Sequence, residues 1–517
     1  MIKQPVDSLK KRYAAKLSTN LVGLFIGMVI QTIIPRGLGP KAYGDFSFLS
    51  NFFTQMMPFF SLSTSNCFYT KLSQRQNDPV LISFYFQLTG LSFIVLFIFV
   101  LTSNATGLSD TLWVNLNIKY VYMAMVWGVL AWTANLLTQV SDAYGLTVNT
   151  EIAKIVQNFI GMCAILVLFF FNQLYLTSFF YYQYGMLLFL ITLFVWIIRQ
   201  NRRHFFYNWY LKRDQIRRYI KEFYQYSHPL FIYAFIGMFV AIFDRWMLQK
   251  FAGSVQQGFF GLSFQIGAIC FLFTSALTSL ITREFSIAYS CNNINEMARL
   301  FRRYIPLLYS MAAFFGCFGC VQAGKITSIF GGAKFSGAVF PVAIMALYPI
   351  HQTYGQLSGS VFFAAGKTGL YRNIGAVFMI IGLPIAYFLI APVDKMGLNT
   401  GATGLAIKMI TLQFIAVNVQ LYYNSRFLKI RFLKYVGHQV LCLSCFLVIA
   451  FVGRWITDEF AIFQNECIVS LLVSGLLYTA MVSVMVFVFP VIVGLRWEDI
   501  TGIFLRLRSG FGRKKEH

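Results

Sequence analysis

Apolar runs of about 20 residues, the length that crosses a bilayer as a helix, follow one another along this chain with short polar breaks between them. On that rule the pattern predicts fourteen helices, at 17–35, 46–69, 80–102, 119–141, 152–172, 176–198, 228–250, 258–282, 304–324, 337–363, 372–391, 399–422, 436–456 and 467–494. The tenth run is interrupted by Pro349, and the fifth and sixth are joined only by Asn172 to Tyr175 and their neighbours. One break is long. Residues 199–226 carry eight Lys or Arg against two acids and form the longest hydrophilic interval in the chain, with apolar blocks on both sides.

Composition narrows the class. Hydrophobic residues make up 58% of the 517 and charged residues 12%, with a mean hydropathy of +0.65; a soluble domain carries about twice that charge. The fold class read from this is an all-α polytopic membrane protein. A net charge of +24 and a pI near 9.7 would point to nucleic acid in a soluble protein, so the placement of the charges decides. With an even number of helices and both termini on one side, most of the 42 Lys and Arg fall on that side, in the amino-terminal segment, residues 199–226, the loops before helices 3, 9, 11 and 13, and the tail. That is the positive-inside pattern. It makes 199–226 a cytoplasmic loop whose cations face anionic membrane lipids, places both termini in the cytoplasm, and leaves no role for a nucleic-acid partner. The amino terminus starts basic, but the apolar run after it lacks a small-residue cleavage site, which predicts a retained first helix.

Little in the sequence suggests chemistry on bonds. The spacings Cys317/Cys320 and Cys442/Cys445 lie inside apolar helices, where a thiol packs as a small hydrophobe. Phe363 to Gly369, FAAGKTG, looks like the end of a phosphate-binding loop, but the required upstream glycine is replaced by Val361 and no strand precedes it. The expectation is a non-enzyme without cofactor or metal.

An internal repeat is visible. Phe25 to Met28 and Phe235 to Met238 both read FIGM, each followed by a charged helix end, a glycine-containing turn and a new helix opening at Gly44 or Gly258. The copies begin helix 1 and helix 7. The predicted plan is two pseudo-symmetric six-helix lobes and a carboxy-terminal helix pair: 1–198 (helices 1–6), 199–226 as basic connector, 227–422 (helices 7–12), and 423–517 (helices 13 and 14 with a basic tail). Parallel repeats of this kind are a transporter architecture, with the substrate path between the lobes.

Candidate functional residues are the polar ones that apolar helices must tolerate, because an intramembrane charge costs a few kcal/mol and marks a cavity or a partner. Lys408, mid-way along helix 12, is the leading candidate for an anion-binding side chain. Arg36 ends helix 1 ahead of Gly37 and Gly39-Pro40, where its planar fork suits a phosphate or carboxylate and equally an interfacial anchor. Asp244 and Arg245 are read as its counterparts in helix 7. Arg245 is a further cavity cation, and Asp244 is either a coupling-ion carboxylate or half of a structural ion pair. Gln31, Asn135, Gln139, Gln265, His351, Tyr354, Gln356 and Gln413 are candidate cavity-lining groups, each of which could instead bridge two helices.

The stretch RGLGPKAYGDFSFL at the end of helix 1, and Asp244-Arg245 followed by Gly258 opening the next helix, resemble the corresponding stretches of polysaccharide-type flippases in the multidrug/oligosaccharidyl-lipid/polysaccharide (MOP) exporter superfamily. What the resemblance implies is translocation of an undecaprenyl-diphosphate-linked oligosaccharide, a repeat unit of O-antigen, capsule or exopolysaccharide, across the bacterial cytoplasmic (inner) membrane. Alternating access around a cationic cavity would be driven by H+ or Na+, with polysaccharide polymerase and glycosyltransferases as partners. Multidrug exporters of the superfamily commonly place an acid within the lobe helices, and helix 1 has none. Lipid II flippases carry several arginines around helix 1, where this chain has Arg36 alone. A non-transporting scaffold for polysaccharide assembly is the reading from another class, against which the repeat and Lys408 both speak.

Overall fold

In the computed structural model, residues 9–61, 64–75, 78–201, 211–459, 467–495 and 497 are described; part of the basic connector (202–210) and most of the tail (498–517) lie outside them. Among the described residues the elements are helices: α1 (Leu9–Phe60), α2 (Ser65–Gln74), α3 (Pro79–Ala105), α4 (Ser109–Leu112), α5 (Ile118–Ala143), α6 (Thr147–Phe170), α7 (Leu176–Asn201), α8 (Arg213–Ser290), α9 (Ile294–Val321), α10 (Ala323–Gly331), α11 (Val339–Ala364), α12 (Thr368–Ile390), α13 (Gly401–Leu428), α14 (Phe432–Glu459) and α15 (Cys467–Val488). Twelve of them are long and apolar enough to cross a membrane. The protein is an all-α polytopic membrane protein.

Two of these twelve are not single rods. The backbone of α1 leaves helical geometry at Gly39 (φ 73°, ψ 169°) and that of α8 at Gly253 (φ 79°, ψ −180°). Positive φ with an extended ψ is a conformation only glycine adopts cheaply. At Gly253 the chain folds back on itself. Arg245 and Gln257, which a straight helix would hold about 18 Å apart along its axis, are hydrogen-bonded to each other, and the Gln249 amide reaches the Ser254 hydroxyl at 3.0 Å. Gly39 has nearly the same angles. Dividing α1 and α8 at their glycines turns twelve helices into fourteen apolar segments, as the sequence pattern predicts.

Local sequence explains the other ends. Asp78 caps α3 by accepting from the Leu81 amide at 3.1 Å, ahead of Pro79 in the first turn; Asn293 caps α9 in the same way through Glu296. These side chains satisfy amides that a helix start leaves unpaired. Predicted helix 2 divides into the second arm of α1 and the short α2. Pro349 does not interrupt α11. It removes the amide that would bond the Met345 carbonyl, and that carbonyl faces Gly267 of α8, where a Cβ would sit 2.7 Å from it. Glycine thus lets a second helix close over the gap.

The chain packs as two units, Met1–Gly261 with Ile390–Gly401, and Leu262–Leu389 with Ala402–His517. In the first, one core gathers Phe48, Phe52, Phe53, Trp113 and Phe180, and another gathers Phe68, Tyr85, Leu137, Phe194 and Phe223. In the second, the core runs from Phe285 through Tyr309, Ile350 and Tyr354 to Phe446 and Tyr478. Cys317 and Cys442 are buried there as free thiols, in keeping with a packing role.

The connector is anchored at its helical end. Glu222, early in α8, accepts from Arg75 through both carboxylate oxygens (2.8 and 3.2 Å) and pairs with Lys71 at 3.0 Å; Tyr219 donates to Asp78 at 2.7 Å. Burial pushes the Glu222 carboxyl up, but hydrogen bonds from Lys71 and Arg75 and their charges outweigh it and hold it below the ordinary carboxylate range. A depressed carboxylate contributes stability that is present above the unfolded-state pKa of about 4.3 and is lost as pH falls through the folded value. Glu222→Gln is therefore expected to cost on the order of 1 kcal/mol at neutral pH. The gap to the wild type should close as the buffer goes below about pH 4, measured by thermal melting of the detergent-solubilised protein.

Candidate functional site

The repeat becomes three-dimensional at the two glycine turns. A shift of 214 positions, from Gly39 to Gly253, also carries Pro40 onto Ser254, Gly44 onto Gly258 and Ser47 onto Gly261. These matched residues touch reciprocally. A Cβ on Gly44 would meet the Ser254 carbonyl oxygen at 1.8 Å, a Cβ on Gly258 would meet the Pro40 carbonyl oxygen at 2.1 Å, and a Cβ on Gly261 would lie 2.5 Å from the Ser47 hydroxyl. Such an exchange is what a local pseudo-twofold axis produces, and Ser47 beside its own equivalent Gly261 marks where it passes. The geometry corrects two sequence alignments. The FIGM stretches differ by 210 positions, one helical turn out of register, and the counterpart of Arg36 is Lys250. Asp244 and Arg245 correspond instead to Ile30 and Gln31.

Around this axis the first unit buries polar groups. Arg245 is 8% exposed. Its guanidinium donates to Gln257 Oε1 at 3.1 Å and lies 4.4 Å from the centre of the Phe260 ring, while the Gln257 amide donates back to the Arg245 carbonyl. The side chain therefore clamps the two arms that meet at Gly253. Asp244, beside it, is half-buried, and Arg36 lies exposed at the end of the first arm of α1. A carboxylate that the sequence reading passed over is more deeply placed: Asp45, directly after Gly44, is buried, hydrogen-bonds Ser254, and has a second oxygen, Oδ1, buried without a hydrogen-bond partner. Its position next to a predicted helix opening concealed it, since only the fold-back brings Ser254 over it.

In the second unit Lys408 is 5% exposed within α13. Gly382 of α12 makes room for it: a Cβ there would lie 2.8 Å from Lys408 Cε and 3.1 Å from Nζ. Elsewhere on the helices Lys154 pairs with Glu151 at 2.8 Å, and both Lys325 and Arg454 pair with Asp458. Part of the candidate lining set is packed core. His351 and Tyr354 are buried, with Tyr309 5.5 Å from Tyr354 and Phe414 5.0 Å from His351 between ring centres. Gln413 donates to Gln352 at 2.9 Å, bridging α13 and α11. Gly355 admits this contact, since a Cβ on it would crowd both Gln413 and Val417. Gln31, Gln139, Gln265 and Gln356 are half-buried and Asn135 is exposed. The structure thus separates the candidates: Arg36, Asp244, Arg245, Gln31, Asn135 and Gln139 lie in the first unit, and Lys408, Gln265, His351, Tyr354, Gln356 and Gln413 in the second. Among the described residues no group of three metal-ligating side chains occurs.

No family model matches the chain, and no curated protein matches it in sequence. Solved structures do match. A lipid II flippase in an inward closed conformation superposes with a TM-score of 0.62 over 92% of this chain and 98% of its own, at 12% identity. An inward-facing multidrug resistance MATE family transporter of the MOP superfamily gives 0.61 over 81% of this chain and 99% of its own, at 13% identity. This is the MOP fold. A MATE transporter from Vibrio cholerae carries it as well, with a TM-score of 0.51 at 16% identity over 81% of this chain and 97% of its own. At these identities the MOP fold is what is shared, and any further likeness has to be argued from this chain's own residues.

Proposed function

We propose that the protein is a flippase that carries an undecaprenyl-diphosphate-linked oligosaccharide across the cytoplasmic membrane by alternating access, with the two six-helix repeats as its moving parts. The observation that carries this reading is Lys408, a buried ammonium on an apolar membrane helix of a MOP-fold protein. An ammonium held away from bulk water attracts a diphosphate more strongly than one at the surface, and the diphosphate is the anionic part common to such carriers. The substrate class proposed follows the neighbour described as a lipid II flippase, whose fold spans 92% of this chain.

The reading is tested by transport. Purified protein in liposomes containing a fluorescent lipid-diphosphate-linked oligosaccharide should expose the label to the opposite face, and liposomes loaded with cationic drugs should show no protein-dependent efflux. The reverse pattern would make the protein a drug exporter. For coupling, Asp45 is the better-buried carboxylate and Asp244 the alternative. Asp45→Asn is expected to remove the dependence of transport on an imposed H+ or Na+ gradient, with Asp244→Asn retaining it; the opposite result would assign coupling to Asp244. Orientation has its own measurement. A cysteine introduced at Lys212, in a chain whose native cysteines are replaced, should react only with membrane-permeant maleimide in intact cells, and labelling by an impermeant reagent would invert the topology.

A further inference from the structure

The Gly-Lys-Thr turn at residues 366–368 lies apart from the residues assigned to transport. It joins α11 to α12: Gly366 takes a positive φ of 67°, the Lys367 amide closes onto the Phe362 carbonyl at 2.8 Å, and Thr368 begins the next helix. Beside it, within the second unit, is a cavity of about 290 Å3 walled by Val361, Phe362, Leu370 and Phe427, with Lys367, Arg426 and the buried Asn424 at its polar edge. The cations are held in place by aromatic faces, Lys367 Nζ 3.9 Å from the centre of the Phe427 ring and Arg426 4.7 Å from that of Tyr422. Such contacts orient a cation without cancelling its charge.

Carboxylates are scarce here. From Glu296 the next acid along the chain is Asp394, and the one after that is Asp458, so α11, α12 and α13 contain none. Over the same stretch the sequence holds Lys367 and Arg372 at the start of α12 and Arg426, Lys429, Arg431 and Lys434 around the end of α13, of which Lys367 and Arg426 line the cavity. An apolar wall, two oriented cations and no neighbouring acid on these helices describe a place for an anion with an apolar attachment.

We propose that this cavity binds the phosphodiester headgroup of an anionic membrane lipid, with Lys367 and Arg426 on the phosphate and Phe362, Leu370 and Phe427 against the glycerol and first acyl carbons. Size selects among phosphates. Cavities for drug-sized ligands run from about 300 to 1,000 Å3, so this one takes a headgroup and has no room for a lipid-linked oligosaccharide. The site is independent of the transported substrate and would hold whatever the protein carries. It lacks the strand and upstream glycine of a nucleotide loop, and its apolar wall distinguishes it from a site for free phosphate.

The test uses the full chain in detergent, with dioctanoyl phosphatidylglycerol, dioctanoyl phosphatidylcholine and inorganic phosphate as probes, read by native mass spectrometry and thermal melting. The wild type should retain phosphatidylglycerol adducts and melt several degrees higher with that lipid, and should respond to neither other probe. Lys367→Ala with Arg426→Ala should weaken phosphatidylglycerol binding at least tenfold. Leu370→Trp, which fills the cavity and keeps both charges, should do the same and serves if the double variant does not fold. Undiminished binding in Leu370→Trp would show that surface charge alone attracts the lipid and would overturn the proposal, as would protection by inorganic phosphate at equal concentration.

Discussion

Lys408→Met is expected to abolish the lipid-linked oligosaccharide transport proposed above while leaving the protein as abundant as the wild type. The substitution keeps the length and apolar stem of the side chain and removes only its charge. A charge buried to 5% exposure carries a desolvation cost that its surroundings must offset. Against a bound diphosphate the same change removes charge-assisted hydrogen bonds worth roughly 1.5–3 kcal/mol each. Two such bonds correspond to on the order of a hundredfold or more in transition-state stabilisation, enough to extinguish the phenotype. Lys408→Arg should keep part of the activity, because the absent side chain at Gly382 leaves some room. Gly382→Leu should mimic Lys408→Met by taking that room. The informative measurement pairs transport in liposomes with a melting curve: lost transport from a folded Lys408→Met marks a functional charge, whereas normal transport would remove Lys408 from the mechanism.

The second large effect is expected at the reciprocal glycines. A methyl group on Gly44 or Gly258 would meet a backbone carbonyl oxygen at 1.8 or 2.1 Å, and a carbonyl in a turn cannot rotate away as a side-chain tip can. Overpacking of this kind costs about 1–3 kcal/mol when the backbone yields, and here two turns would have to separate. Gly44→Ala and Gly258→Ala should each lower the melting temperature by several degrees. The double variant should cost less than the sum of the two, since one separation relieves both clashes and sites in contact are not additive. Ala at Gly27 or Gly90, where a Cβ meets nothing within 4 Å, is the control and should be neutral. Equal melting temperatures for Gly44→Ala and Gly27→Ala would show that the turns do not pack as described.

Much of the architecture was legible in the residues. Membrane helices announce themselves because every backbone amide must be satisfied within the segment and every outward side chain must be apolar, so a run such as Leu91 to Leu101 has one reading. Glycine runs at Gly37 to Gly39 and near Gly253 flagged the ends of the first helix of each repeat for the same local reason, their access to positive φ. The repeat was visible, but its register was not: FIGM is a chance match among abundant Phe, Ile and Gly, and register is set by which backbones touch. Arg245 illustrates the limit for side chains. In the sequence it is an intramembrane cation like Lys408, and only the fold-back at Gly253, which brings Gln257 and Phe260 over it, makes it a clamp. His351 and Tyr354 likewise look like cavity polar groups until α9 and α13 are packed around them.

By itself, then, the sequence determined what depends on local chemistry and on the solvent: an all-α membrane protein, its fourteen apolar segments, the glycine breaks and Lys408 as a charge within an apolar helix. Tertiary structure decided what depends on residues far apart in the chain. It set the symmetric contact of the two glycine turns, the burial of Asp45 under Ser254, the space that Gly382 leaves for Lys408, and the cavity beside Lys367. Each of these requires two segments to approach within a few ångströms, and in a chain this rich in interchangeable apolar side chains no pattern along one segment records which other segment will face it.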